Sequence, residues 1–172
     1  ALSYLNGTWK IQSKNTKWGD ADLLAPFVYK ELEGDFTLEV KISDVAGLAR
    51  KARTSSEAGI MIQRVDSKDA YITNCILTGW NLGNLSRSIG PQIFQEENTG
   101  TGLNFSPYLQ VQKIGNYFFL RCSGDGMDWK DLPGTPFLRP DLNGKRLRVG
   151  LYQIAGNNQL GYGEFERLRI WK

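Results

Sequence analysis

Apolar and polar residues alternate along most of this chain. Phe36, Leu38, Val40 and Ile42 are interleaved with Thr37, Glu39 and Lys41, the spacing of a strand with one buried face. Ile60 and Ile62 repeat the alternation within residues 57–64, and residues 70–77 are rich in β-branched and aromatic side chains. Leu109 and Val111 alternate with Gln110 and Gln112, after which Gly115-Asn116 turns the chain into residues 117–123, a hairpin signal. Leu147, Val149 and Leu151 alternate with Arg148, Gly150 and Tyr152. Residues 163–171 close the series, with Phe165, Leu168 and Ile170 facing inward after one slip in register. Residues 8–12 and 27–31 read as edge strands. Residues 44–56 read as a polar loop.

No segment carries an apolar i, i+3, i+4, i+7 stripe over three turns. About ten short strands separated by turn signals predict an all-β protein, a two-sheet antiparallel sandwich. Gly and Pro are spread through the chain without a linker or an internal repeat, so residues 1–172 read as a single domain.

Composition narrows the chemistry. With 41% hydrophobic and 12% aromatic residues, the chain can build a core without disulfides. Twenty-one Lys and Arg against 18 Asp and Glu leave a net +3 with no basic stripe, so no nucleic-acid partner is expected. No apolar run approaches the roughly 18 residues of a membrane span, so no membrane partner is expected either. Residues 1–4 show no charged region leading into an apolar stretch, so no signal peptide is expected in this stretch. The chain has no histidine, which removes Ser-His-Asp and Cys-His nucleophile systems and imidazole zinc sites. Any enzyme built from it would work through carboxylates, Tyr, Lys or Arg.

The candidate binding residues are aromatic and planar polar groups. Trp18, beside Asp20 and Asp22, lies in a polar stretch and can stack on the C–H face of a sugar. The same Trp could instead pin an edge loop to the core, with the two Asp residues binding calcium. Trp80, between Gly79 and Asn81, is either a loop-tip ligand contact or a buried anchor. Alternation turns Gln63, Gln110, Gln112, Arg121, Arg148 and Tyr152 away from the core. A solvated sheet face ordinarily carries Lys, Glu and Thr, whereas this one pairs planar hydrogen bonding with stacking. Such a face either holds a glycan, docks another domain, or is simply polar.

Other features favour structural readings. Ser123-Gly124-Asp125-Gly126-Met127-Asp128-Trp129 reads as a turn capped by Asp125, with Trp129 folded over the hairpin. A calcium loop using Asp125, Asp128 and Asp131 lacks EF-hand spacing. The carboxylate pairs Glu31/Glu33, Glu96/Glu97 and Glu164/Glu166 do not form the E-x-D-x-x-E arrangement of sandwich-fold glycanases, and read as surface groups. Cys75 and Cys122 read as two free buried thiols, and alternation puts Cys122 in the core. Glycosylation sequons begin at Asn6, Asn84 and Asn104.

Five segments in order carry a resemblance to a known family. They are Gly34-Asp35-Phe36-Thr37-Leu38-Glu39-Val40, Glu57-Ala58-Gly59-Ile60-Met61-Ile62, Ser123-Gly124-Asp125-Gly126 with Trp129, Leu147-Arg148-Val149-Gly150-Leu151-Tyr152, and residues 165–170. Together they resemble the laminin-G-like, concanavalin-A-like accessory domains of secreted bacterial glycoside hydrolases. They are also similar to the C-terminal sandwich domain of family 43 β-xylosidases. Where many relatives carry Arg after the Ala-Gly strand, this chain has Gln63 and then Arg64. The resemblance implies a jelly roll of two curved sheets, excised from a larger secreted protein, and an extracellular bacterial setting. It also implies a glycoside hydrolase catalytic domain as a possible neighbour in the same chain.

The expected function is a non-catalytic carbohydrate-binding module. Trp18 and Trp80 would stack on sugar rings of a polysaccharide or oligosaccharide. Gln63, Gln110, Gln112, Arg121 and Arg148 would bond hydroxyls, and Tyr71 and Tyr152 would shape the groove. No cofactor is expected beyond a structural calcium near Asp20, Asp22 or Asp125. The alternative is a ligand-free domain that docks on a catalytic partner, and a glycanase or lyase using Tyr and Arg ranks last.

Overall fold

A computed structural model describes residues 1–14, 25–46, 56–78, 83–98, 105–156 and 160–172. Its strands are β1 (Leu2–Leu5), β2 (Thr8–Lys14), β3 (Phe27–Leu32), β4 (Phe36–Val45), β5 (Ser56–Arg64), β6 (Tyr71–Leu77) and β7 (Gly83–Gly90). They continue as β8 (Ile93–Asn98), β9 (Tyr108–Ile114), β10 (Tyr117–Ser123), β11 (Lys130–Asp131), β12 (Phe137–Leu138), β13 (Leu147–Ala155) and β14 (Leu160–Trp171). One 3₁₀ turn, Pro140–Leu142, precedes β13. The first sheet runs β1-β2-β14-β4-β9-β10-β11, with β12 also on β10, and the second runs β3-β13-β5-β6-β7-β8. All pairings are antiparallel. The all-β two-sheet sandwich read from the alternation is the fold.

The core lies between the sheets. Leu38, Val40, Ile42, Leu109, Val111, Phe118 and Leu120 come from the first sheet, and Ile60, Ile62, Ile72, Ile76, Val149 and Leu151 from the second. Each is a position that the period-two pattern turns inward, and each such side chain contributes about 1.5–3 kcal/mol by leaving water. At one end the sheets come very close. A Cβ on Gly163 of β14 would lie 2.6 Å from the Ala58 Cβ on β5, so only a glycine fits between these backbones.

The structure adds strands that alternation did not disclose. In β7 the residues that face inward are Asn84, Ser86 and Ser88, all buried and polar, so the apolar signature of a buried face is missing. The Asn84 amide exchanges hydrogen bonds with the Ser106 backbone, donating to its carbonyl at 2.9 Å and accepting from its N–H at 2.8 Å. The sequon asparagine Asn84 is therefore spent inside the protein. Residues 8–12 are not an edge, because β1 pairs outside β2. The strand β4 runs on to Val45, into the stretch expected to be loop. In β14 the register breaks between Glu166 and Arg169, with Arg167 at φ +54°, and Leu168 is thrown outward instead of into the core.

Candidate functional site

The outward side of the second sheet carries an unusual concentration of interacting groups. Its rows are set by register. Tyr29 of β3 sits opposite Gly150, Arg148 of β13 opposite Gln63, Gln63 of β5 opposite Tyr71, and Thr73 of β6 opposite Arg87 of β7. Behind them Met61, Tyr71, Cys75, Leu85 and Tyr152 form a second apolar cluster, separate from the core. A sheet face bordering water would not be expected to bury such a set, so this face is built as more than a solvated surface.

At its centre is an ion-pair network. The Arg87 Nη1 and Nη2 atoms donate to the two carboxylate oxygens of Glu57 at 2.6 and 2.7 Å. The Tyr152 hydroxyl donates to the same carboxylate at 3.1 Å, and Arg87 Nε bonds Glu96 of β8. Burial alone would discourage the Arg87 charge, but the Glu57 hydrogen bonds and charge outweigh it and lift Arg87 above its ordinary range. Burial pushes the Cys75 thiol up, with the Glu57 charge adding to the effect. Burial likewise raises Tyr152 well above the usual phenol value. Both keep their protons at neutral pH.

Toward β3 the face opens. The Arg148 guanidinium lies 5.2 Å from the Tyr29 ring centroid and donates to Gln63 Oε1 at 3.4 Å. Gln63 in turn donates from Nε2 to the Lys68 carbonyl at 3.2 Å, which fixes its amide. The Tyr29 ring packs against Phe27 with centroids 5.0 Å apart and is 46% exposed. In register Arg148 stands opposite Glu31 of β3, but that carboxylate pairs with Arg146 at 3.6 Å, and among the described residues Arg148 makes no ion pair; its Nε is buried without a hydrogen-bond partner. A guanidinium with exposed donors to spare beside an exposed ring is an arrangement that suits a hydroxylated ligand.

The residues expected to form one site are divided between the two sides of the sandwich. Gln63, Tyr71, Arg148 and Tyr152 share the second sheet. Gln110, Gln112 and Arg121 lie on the outward side of the first sheet, where they bond one another. Arg121 Nη1 donates to Gln110 Oε1 at 2.9 Å and Gln112 Oε1 at 3.2 Å, its Nε donates to Asp131 at 2.7 Å, and Gln110 Nε2 donates to Glu39 at 2.7 Å. These bonds tie the three side chains to one another and to Glu39 and Asp131. Tyr152 is fully buried, and Gln63 and Tyr71 nearly so, which corrects their expected exposure; the two tyrosines belong to the second apolar cluster, and Gln63 is tied to the Lys68 carbonyl. Trp18, Trp80, Asp20 and Asp22 lie outside the described residues.

The Asp125 loop is the capped turn that its sequence predicts. The Asp125 carboxylate accepts from the Met127 and Asp128 N–H groups at 2.8 and 3.0 Å and from the Ser123 hydroxyl at 2.9 Å. Those bonds lower its pKa to about 2. Among the described residues no three acidic or thiol groups come together as a metal site. Cys75 and Cys122 are both free; Cys122 faces the core and Cys75 the opposite side of its sheet. Glu57, Arg87 and Tyr29 did not stand out as site residues in the sequence, and Glu96 read only as a surface carboxylate. Glu57 shares the outward parity of Met61 and Gln63 and could have been found there, whereas Arg87 sits in the strand whose inner face is polar.

No family model and no curated protein matches this chain. Solved structures do match its fold. A functionally unknown protein from Saccharomyces cerevisiae superposes with a TM-score of 0.73 at 16% identity, over 99% of this chain and 91% of that one. The GH43 protein BlXynB from Bacillus licheniformis matches with a TM-score of 0.68 at 14% identity, over 95% of this chain but 32% of its own. SCLam, a non-specific endo-β-1,3(4)-glucanase from family GH16, matches at 0.61 and 11% identity, over 99% of this chain and 74% of that one. The sandwich is thus of the kind found in glycan-active proteins, and this chain spans about a third of the length of the GH43 protein.

Proposed function

We propose that this chain is a non-catalytic carbohydrate-binding module of a secreted bacterial glycan-degrading protein, and that its ligand face is the outward side of the second sheet. The observation that carries the reading is the corner where Arg148, which makes no ion pair among the described residues, lies beside the exposed Tyr29 ring. A sugar ring stacked on Tyr29 would place hydroxyl oxygens near that guanidinium. The fold likeness to glycan-active proteins supports the same ligand class. A binding role suits the network better than hydrolysis does. The Glu57 carboxylate is held by both Arg87 donors and by Tyr152, which leaves it poorly placed to shuttle a proton. Affinity for one sugar would be modest and would grow along a chain as rings add contacts.

Affinity electrophoresis of the isolated domain against a polysaccharide panel, with and without a calcium chelator, tests this directly. Retardation by one glycan class supports the module. Retardation that the chelator abolishes adds a structural calcium and points to Asp20, Asp22 and the Asp125 loop. A folded monomer that no glycan retards rejects the module.

The second reading, a domain that docks on a catalytic partner, is favoured by two observations. The chain matches a third of a GH43 protein, and Phe94 on the edge strand β8 is 76% exposed beside Ile89. It predicts self-association of the isolated domain, which substitution of Phe94 by Ser would relieve.

A further inference from the structure

A pocket of about 230 Å³ opens on the other side of the molecule, against the first sheet. Glu39 of β4, Tyr108 of β9, Arg167 and Arg169 of β14, and Asp125 and Trp129 of the loop after β10 line it. The pocket is assembled by three local devices. The register break in β14, with Arg167 in the left-handed region at φ +54°, re-aims the two arginines within three residues of one another. The Asp125 turn holds its loop in place through the Ser123, Met127 and Asp128 donors. Gly126, at φ +81°, lies flat on the Tyr108 ring, where a Cβ would come within 2.9 Å.

The hydrogen-bond inventory of the pocket is half used. Asp125 receives its turn donors on Oδ1, and Glu39 receives Gln110 on Oε1, so each retains an oxygen for another donor. Arg167 donates to the Tyr108 hydroxyl at 3.3 Å and stacks 6.0 Å from that ring. Among the described residues neither Arg167 nor Arg169 is paired with a carboxylate. Two acceptors and two cationic donors therefore face one cavity beside a half-buried indole. The formal charges of these groups cancel, since two carboxylates oppose two guanidinium groups.

We infer that this pocket binds a single neutral sugar ring, as a second ligand site on the opposite sheet from the face assigned above. A hydroxyl both donates and accepts, so vicinal hydroxyls match a pocket that presents both kinds of partner. The C–H face of the ring packs on Trp129. A cavity below the roughly 300 Å³ at which larger ligand sites begin takes one unit and not an internal chain segment. Because the four charges of the lining cancel, a neutral ring leaves the site balanced, whereas a ligand carboxylate would meet Glu39 and Asp125 as well as the two arginines and leave a net negative charge.

The test is a titration of the isotope-labelled domain with glucose, xylose and glucuronate, followed through the Trp129 indole N–H and the Arg169 Nε–H resonances. Glucose or xylose shifts both resonances saturably, and glucuronate binds at least several-fold more weakly. Arg169→Gln, an exposed change that leaves the fold intact, weakens sugar binding about tenfold, and Trp129→Ala abolishes it. Arg148→Gln on the opposite sheet leaves the pocket's affinity unchanged. No shift with any of the three sugars overturns the inference, as does tighter binding of glucuronate or an unaltered affinity in Arg169→Gln. A domain that is retarded by a polysaccharide, loses that retardation in Arg148→Gln and shows no Trp129 response refutes the pocket alone and keeps the second-sheet reading.

Discussion

Arg87 holds both carboxylate oxygens of Glu57, at 2.6 and 2.7 Å, on the outward side of the second sheet. The pair is part-buried, with 20% of the Arg87 side chain and 12% of the Glu57 side chain exposed. Desolvation offsets much of its Coulomb attraction, so the pair as a whole adds little over apolar groups of the same size. Removing one partner is different: without Arg87 the Glu57 charge keeps the Tyr152 hydroxyl but no ion-pair partner among the described residues, whereas without Glu57 the Arg87 charge keeps Glu96. Arg87→Met is therefore expected to lower unfolding free energy by about 3 kcal/mol, the low end for buried pairs, and Glu57→Gln by less. The double variant Glu57→Gln with Arg87→Met should lose less than the two single losses together. Urea denaturation of the four proteins measures the coupling, and additive losses would show that the pair does not act as a unit.

How much of this was legible in the sequence depends on which physical signal each strand carries. Leu38, Val40, Leu109 and Val149 alternate with polar neighbours, and every one faces the core. The β7 strand breaks that logic, since Asn84 and Ser88 are buried by hydrogen bonds to Ser106 and Arg139 and not by apolar contact. Side-chain parity put Gln63 and Arg148 on one face correctly. Parity does not say which of two sheets a strand joins, so Gln110 and Arg121 were grouped with residues on the far side of the molecule. Nor does it say what covers a face, which is why Tyr152 read as accessible and is buried.

Asn74 interrupts the apolar positions of β6, and the structure gives the interruption a role. Its Nδ2 crosses the core and donates to the Gln110 carbonyl at 3.0 Å and the Arg121 carbonyl at 2.9 Å, joining the second sheet to the first. Its Oδ1 has no partner. Asn74→Ala removes two buried hydrogen bonds and relieves one unsatisfied acceptor, so a loss of about 1–2 kcal/mol is expected with the denaturant slope unchanged. An unchanged midpoint would mean that the cross-sheet bonds add nothing.

The Asp125 turn predicts a pH dependence whose sign follows from its lowered pKa. The Met127 and Asp128 N–H groups and the Ser123 hydroxyl favour the carboxylate in the folded protein, moving it from its ordinary 3.8 to about 2. The unfolded chain therefore takes up this proton first as pH falls. The contribution is fully present above 3.8 and is lost as pH drops through about 2. Amide resonances of Met127 and Asp128 should titrate with the lower midpoint. Asp125→Asn should flatten the stability profile across this window, and a titration midpoint near 3.8 would contradict the turn geometry.

The open corner of the second sheet gives the sharpest separation between binding and stability. Tyr29 is 46% exposed and stands on the edge strand β3, so Tyr29→Ala removes a stacking surface without opening the core. Arg148 makes one long bond to Gln63 and leaves Nε unsatisfied, so Arg148→Gln sheds a donor that the folded protein does not fully use. Each change should alter unfolding free energy by less than about 1 kcal/mol. On a glycan that retards the domain, each should weaken binding about tenfold, the equivalent of roughly 1.4 kcal/mol. The two groups would touch the same sugar, so the double variant should lose less than the sum of the single losses. Undiminished retardation of both single variants would move the ligand away from this corner, and a matching loss of stability would assign the pair to packing.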